Sequence, residues 1–307
     1  MNTVRRGVKH RIRSVGTIDR WVAVAWVSSL AGCESQFLDP KLQLIPKAVP
    51  QAFDDGDWAT VLRENVKGGR VDYTHLAGHR AALDRFVALI SVVGPATTPN
   101  LFVSNNAKLA YWINAYNALV LYAVLDVYPA STMYDLALPR LEQDVHFRVD
   151  GATGTLRQIR ARADDASGNN PYILFTLCGA ARGSPPLSEQ PYRAETLDAQ
   201  LTRHVRRAIE NNNLVRVDHE GMRLLLSVDI LAARQRLIAH QMRQTGARGA
   251  TILSVLLSVA PSPQRRRLLN RAVGYRLGTI PFDRRLNNWA PAQPGTDGTT
   301  TPGARAP

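Results

Sequence analysis

Two asparagines sit where their chemistry is out of place. The stretch from Lys108 to Tyr128, KLAYWINAYNALVLYAVLDVY, is apolar at nearly every position, yet it carries Asn114 and Asn117 three residues apart. In a helix that spacing puts both amides on one face, and Trp112 and Tyr116 of the same stretch are further candidates for a pocket or a structural polar centre. A buried amide needs partners for its oxygen and for both hydrogens, so another segment must come to meet the pair. The pair either fastens an irregular loop to the core or lines a pocket. The loop expected to meet it is Gly179 to Tyr192, GAARGSPPLSEQPY. Its glycines and its prolines at 185 and 186 prevent regular pairing and leave peptide groups in want of partners. On the same loop Arg182 lies close to Ser184, a combination able to hold an anion.

Thiol chemistry is the other candidate. Cys178 immediately precedes that loop. A thiol hydrolase or acyltransferase needs a thiolate, a base that activates it and a group that orients the base. The histidines beyond the N-terminal segment are His75, His79, His146, His204, His219 and His240, and none shares a motif with Cys178. His146 opens a predicted strand and is the one placed to reach the loop, as a candidate base. Cys178 otherwise reads as a small buried hydrophobe. No metal pattern stands out. His75 and His79 are four apart but flank a turn without a third ligand. Gly179 to Gly183 lacks the glycine spacing and the lysine of a phosphate loop. No metal and no cofactor are expected.

These residues need a scaffold, and 307 residues that are 45% hydrophobic can build one. The segment from Lys108 to Tyr128 predicts one helix buried on most sides, started by Ser104, Asn105 or Asn106 and stopped by Pro129. Helices are also predicted over Trp58 to Val66, Ala81 to Val92, Leu156 to Ala163 and Ala194 to Asn211. Val145 to Val149 alternates as a strand does, and Tyr172 to Cys178, YILFTLC, is a continuous apolar run that reads as a buried strand. Val215 to Val217 and Met222 to Leu226 form a predicted hairpin. Three helical segments and a last strand over Tyr275 to Phe282 follow. The expected architecture is α+β: one helix-rich domain over 52–289, around a small sheet.

The N-terminus reads as an address. A polar, basic stretch precedes the short apolar run Trp21 to Leu30, which ends in Leu30-Ala31-Gly32-Cys33. That order resembles the bacterial lipoprotein signal, which implies cleavage after Gly32 and acylation of Cys33. Residues 1–32 are then a signal peptide, 33–51 a tether and 290–307 a disordered Pro, Gly and Thr tail. Acyl chains on Cys33 imply a firm membrane anchor in an exported protein, at the outer membrane if the source is Gram-negative, since Glu34 rather than aspartate follows the cysteine. The formal charge of +13 suits an anionic lipid or another envelope polyanion as a partner. No basic-aromatic motif points to nucleic acid.

Four blocks then line up in order: Gly69 to Tyr73, GRVDY; Trp112 to Ala118, WINAYNA; Ser184 to Leu187, SPPL; and Tyr275 to Asn287. Together they resemble a bacterial and plant family catalogued as domain of unknown function 547, which has no settled activity to carry over. The resemblance also exposes departures. Family members usually carry a histidine where this chain has Ala161, a second where it has Leu174, and a cysteine where it has Gly179, with Cys178 one step early. The resemblance therefore implies an envelope lipoprotein whose domain has lost catalytic groups and binds or supports a partner. The alternative is a thiol-dependent hydrolase or acyltransferase of the envelope.

Overall fold

The computed structural model describes residues 36–48, 50–129 and 141–289, all within one unit, Ser35–Pro307. The expected signal peptide, Cys33 and the tail 290–307 lie outside the described residues.

In chain order the first elements are β1 (Gln36–Leu38), α1 (Gly56–Asn65), β2 (Val66–Lys67), β3 (Arg70–Val71), α2 (Tyr73–Gly78), α3 (Ala81–Val92) and α4 (Asn105–Asp126). After these come β4 (Val145–Val149), β5 (Ala152–Thr155), α5 (Leu156–Ala166) and a short 3-10 turn, Pro171–Phe175. The last third holds α6 (Leu197–Glu210), β6 (Val215–Asp218), β7 (Arg223–Leu226), α7 (Val228–Ala232), α8 (Arg234–Thr245), α9 (Ile252–Ser258), α10 (Pro263–Asn270) and β8 (Arg276–Thr279). The fold is α+β and helix-rich. Four helices, not the expected three, follow the β6–β7 hairpin, with α7 and α8 separated only by Ala233.

α4 is the axis. The Ser104 side chain caps it by accepting from Ala107 N at 3.0 Å, so it starts three residues before the predicted Lys108. Every residue from Leu109 to Leu125 is buried. α3 and α5 pack against α4. Where one small sheet was expected, the described residues form three: β1–β4–β5, β2–β3 and β6–β7–β8. β1 runs parallel to β4, with Phe37 opposite His146. Residues expected as free tether are thus partly folded onto the domain. Lys41 continues the attachment by pairing with buried Asp84 at 2.6 Å, and Arg80 holds the other Asp84 oxygen.

The chief correction concerns Tyr172 to Cys178. It is not a strand. Pro171 opens a 3-10 turn, with the Asn170 side chain accepting from Tyr172 N at 3.0 Å. The segment threads the boundary between two apolar cores. Ile173, Leu177 and Cys178 belong to the core around α4, whereas Phe175 belongs to the core of α6, α8–α10 and the second three-stranded sheet. A run buried from both sides is apolar throughout, so it shows no period from which to tell strand from turn. A strap at 285–289 then sews the following loop to β3: Asn287 N donates to Ala180 O, Val71 N donates to Asn287 O, and Trp289 N donates to Val71 O.

Candidate functional site

The two asparagines bracket the loop from opposite ends. Asn117 Nδ2 donates to Thr176 O at 2.9 Å, and its Oδ1 accepts from Cys178 N at 2.9 Å. Asn114 repeats the pattern at the far end: Nδ2 donates to Tyr192 O at 2.8 Å, and Oδ1 accepts from Tyr192 N at 2.9 Å and from Trp58 Nε1 at 3.2 Å. Each amide offers one donor and one acceptor to the backbone, as a neighbouring strand would. Asn114 meets the expected loop. Asn117 grips the residues just before it, because the turn leaves those peptide groups without a ladder.

Held this way, the loop walls a pocket of about 420 Å³. Its apolar floor comes from Val120, Leu156, Leu174 and Leu177, closed by Phe282 and Val228. Its polar groups are Tyr116, Glu142, Arg160, Ser184, Asp229 and Arg284. Tyr116 projects from α4 and donates to Glu142 Oε1 at 3.0 Å. Burial, then the Glu142 charge, raises the phenol pKa well above its usual value, so it stays a donor. Arg160, on α5, reaches the same carboxylate at 3.5 Å. Apolar walls with a few convergent polar groups are what small-molecule sites usually offer.

The remaining sequence candidates divide. Ser184 lies between this pocket and a second recess, which Arg182 lines. Trp112 lines neither: it is buried under Arg162, whose guanidinium carbon is 4.9 Å from the ring centroid. His146 is not at the loop. It stands on the β1–β4–β5 sheet, its ring stacked on Phe37 at 5.0 Å. Cys178 is 1% exposed, and its sulfur accepts from Asn287 Nδ2 at 3.4 Å. Burial pushes its thiol up to about 11, outweighing the hydrogen bonds that pull it down. The expectation that one strand step turns Cys178 away from the site has no strand to act on. The turn does the same, burying Cys178 while Gly179 faces the pocket.

Residues 101–208 match the family model described as protein of unknown function, DUF547. No curated protein and no solved structure matches the chain. The DUF547 match contains both asparagines and the Tyr116, Glu142, Arg160 and Ser184 side of the pocket. Val228, Asp229, Phe282 and Arg284 lie beyond it. Sequence reasoning missed those four, together with Glu142 and Arg160. Only Arg160 has a local signal in the sequence, as the neighbour of Ala161, where the resemblance leads to the expectation of a histidine. Among the described residues no cluster of three His, Cys, Asp or Glu side chains could hold a metal ion, and no helix is long and apolar enough to cross a membrane.

One prediction follows from the thiol. A buried, protonated cysteine is a poor nucleophile. Cys178 in native protein should therefore resist iodoacetamide at pH 7.5 and react only on unfolding, as mass spectrometry of the alkylated peptide would read. Rapid modification in the folded state, with an apparent pKa below 8.5, would restore a thiol mechanism.

Proposed function

We propose that this protein is an exported lipoprotein, acylated at Cys33 and held on a membrane, whose domain binds a small amphipathic ligand rather than catalysing a reaction on it. The observation that carries the binding reading is the composition of the 420 Å³ pocket. Its wall places Leu174 and Gly179, the positions where the resembled family usually has histidine and cysteine, against Tyr116, Glu142 and Arg160. The ligand therefore meets an apolar floor and a hydrogen-bonding rim, with no nucleophile paired to a base. The anchor rests on the Leu30-Ala31-Gly32-Cys33 signal after the apolar run. A thiol hydrolase gains nothing from the geometry, since Cys178 bonds to Asn287 and not to a histidine.

One preparation tests both halves. The full protein is expressed with a fatty-acid probe and then titrated with anilinonaphthalene sulfonate, an apolar ring system bearing an anion. Label should appear on the wild type and vanish in Cys33→Ser. Val228 is exposed at the pocket mouth, so Val228→Trp should fold normally, keep the label and lose the dye. Label retained in Cys33→Ser removes the anchor. Equal dye binding in Val228→Trp with unchanged melting removes the pocket.

A further inference from the structure

The second recess carries chemistry that the pocket does not. It encloses about 290 Å³ between the β2–β3 turn, the loop at 181–186, the end of α6 and the strap at Asn287. Three arginines line it: Arg70 from β3, Arg182 from the loop and Arg207 from α6. Arg207 is spoken for, donating to Glu189 at 2.9 Å. The acids around it are occupied as well. Glu189 also accepts from Gly68 N at 2.9 Å, Glu210 accepts from Ser262 Oγ at 2.7 Å, and nearby Asp283 is held through both carboxylate oxygens by Arg285.

Arg70 and Arg182 are different. Among the described residues neither guanidinium has an ion pair or a hydrogen bond to its side chain. Arg182 Nε is buried and unpartnered. A donor in that position is expensive to leave unsatisfied. Ser184 is 7% exposed, and among the described residues its backbone N–H donates to Ala181 O while its hydroxyl makes no hydrogen bond. Other polar groups at the recess are already used. Asn287 Nδ2 donates to Cys178 Sγ, Asn287 Oδ1 accepts from the Tyr73 hydroxyl, and Asn213 Nδ2 donates to Arg182 O. What remains around one concavity is three side chains with unspent donors, Arg70, Arg182 and Ser184, and the Arg182 charge is met only at longer range by Asp283, whose carboxylate Arg285 already holds.

We propose that this recess is an anion site that takes the phosphate group of a small phosphorylated molecule or phosphate itself. Arg182 and Arg70 supply charge-assisted hydrogen bonds, a geometry guanidinium offers to phosphate oxygens in pairs, and Ser184 supplies a third. The size admits a phosphate with a short attachment and little more. The site stands on its own residues and does not depend on the membrane anchor or on the apolar pocket.

Calorimetric titration of the full protein with inorganic phosphate and with glycerol phosphate tests it, against glycerol and against sodium chloride at matched ionic strength. Both phosphates should bind, and neither control should. Tighter binding of the ester identifies a phosphorylated metabolite as the natural class, and equal binding identifies free phosphate. Arg182→Gln should weaken affinity by about tenfold, the size of one charge-assisted hydrogen bond, with melting unchanged because its side chain holds nothing in place. Ser184→Ala should weaken it less, and Arg148→Gln, exposed on another sheet, should not change it. Absence of phosphate binding by folded wild type overturns the site, as does identical affinity in wild type and Arg182→Gln.

Discussion

Asn117→Leu is expected to destabilise the domain by about 3 kcal/mol even though leucine is the more apolar residue. The substitution strands two buried peptide groups, the Thr176 carbonyl and the Cys178 N–H, which Asn117 satisfies at 2.9 Å each. Each orphaned group costs about 1–3 kcal/mol, and added apolar contact returns only part of that. For a domain of this size the loss corresponds to about 6–12 °C in melting temperature. Asn117→Ala should lose a similar amount, which separates missing hydrogen bonds from overpacking. Thermal unfolding followed by circular dichroism reads both. If Asn117→Leu melts at or above the wild-type temperature while losing dye binding, the asparagine belongs to a ligand site and its role as a backbone clamp is wrong.

The asparagines were legible because amides in an otherwise apolar helix have to be answered from elsewhere. What answers them was harder to read. Had Tyr172 to Cys178 been a strand, a ladder would have satisfied Thr176 and Cys178, and Asn117 would have been free to reach the loop. Because the segment is a turn, its peptides need the side chain. Continuous apolarity is the mark of burial on both faces and is silent on backbone shape. β1 was invisible for a related reason: three residues pair only because β4 offers a parallel partner more than a hundred positions away. α3, α4 and the β6–β7 hairpin were legible from local periodicity and turn residues.

The pocket follows the same division. Tyr116 and Ser184 stood out against their own surroundings, one a phenol in the apolar helix that carries the asparagines and the other a hydroxyl in a proline-rich loop. Glu142, Asp229, Phe282 and Arg284 are unremarkable where they occur in sequence. Packing of the two cores around the turn at 171–175 brings them together, and no short-range pattern encodes that meeting. His146 shows the opposite failure. A histidine at a strand start suggested a base, and tertiary structure placed it on an aromatic partner instead.

His204 should make the fold acid-sensitive in a window where ordinary carboxylates are still ionised. It lies on α6, is 5% exposed, and has its Nδ1 buried without a partner among the described residues, beside the ring of Tyr192 at 5.3 Å. Burial, reinforced by Arg207 and Arg203, pushes its pKa from 6.5 down to about 4. Below pH 6.5 the unfolded chain takes up a proton that the folded protein refuses until about pH 4. Stability therefore falls as pH drops through that window, and it is fully recovered above pH 6.5. The difference in proton affinity corresponds to about 3 kcal/mol across the window. His240, also lowered by burial, adds a loss of the same sign, so the informative quantity is the difference between wild type and His204→Leu. Denaturant unfolding at pH 7.5, 5.5 and 4.5 should show a shallower decline for the variant, with the two proteins diverging most in relative stability at pH 4.5. Parallel declines would mean that His204 takes up its proton in the folded state near its ordinary pKa, through local opening of α6 or a water that pairs its Nδ1.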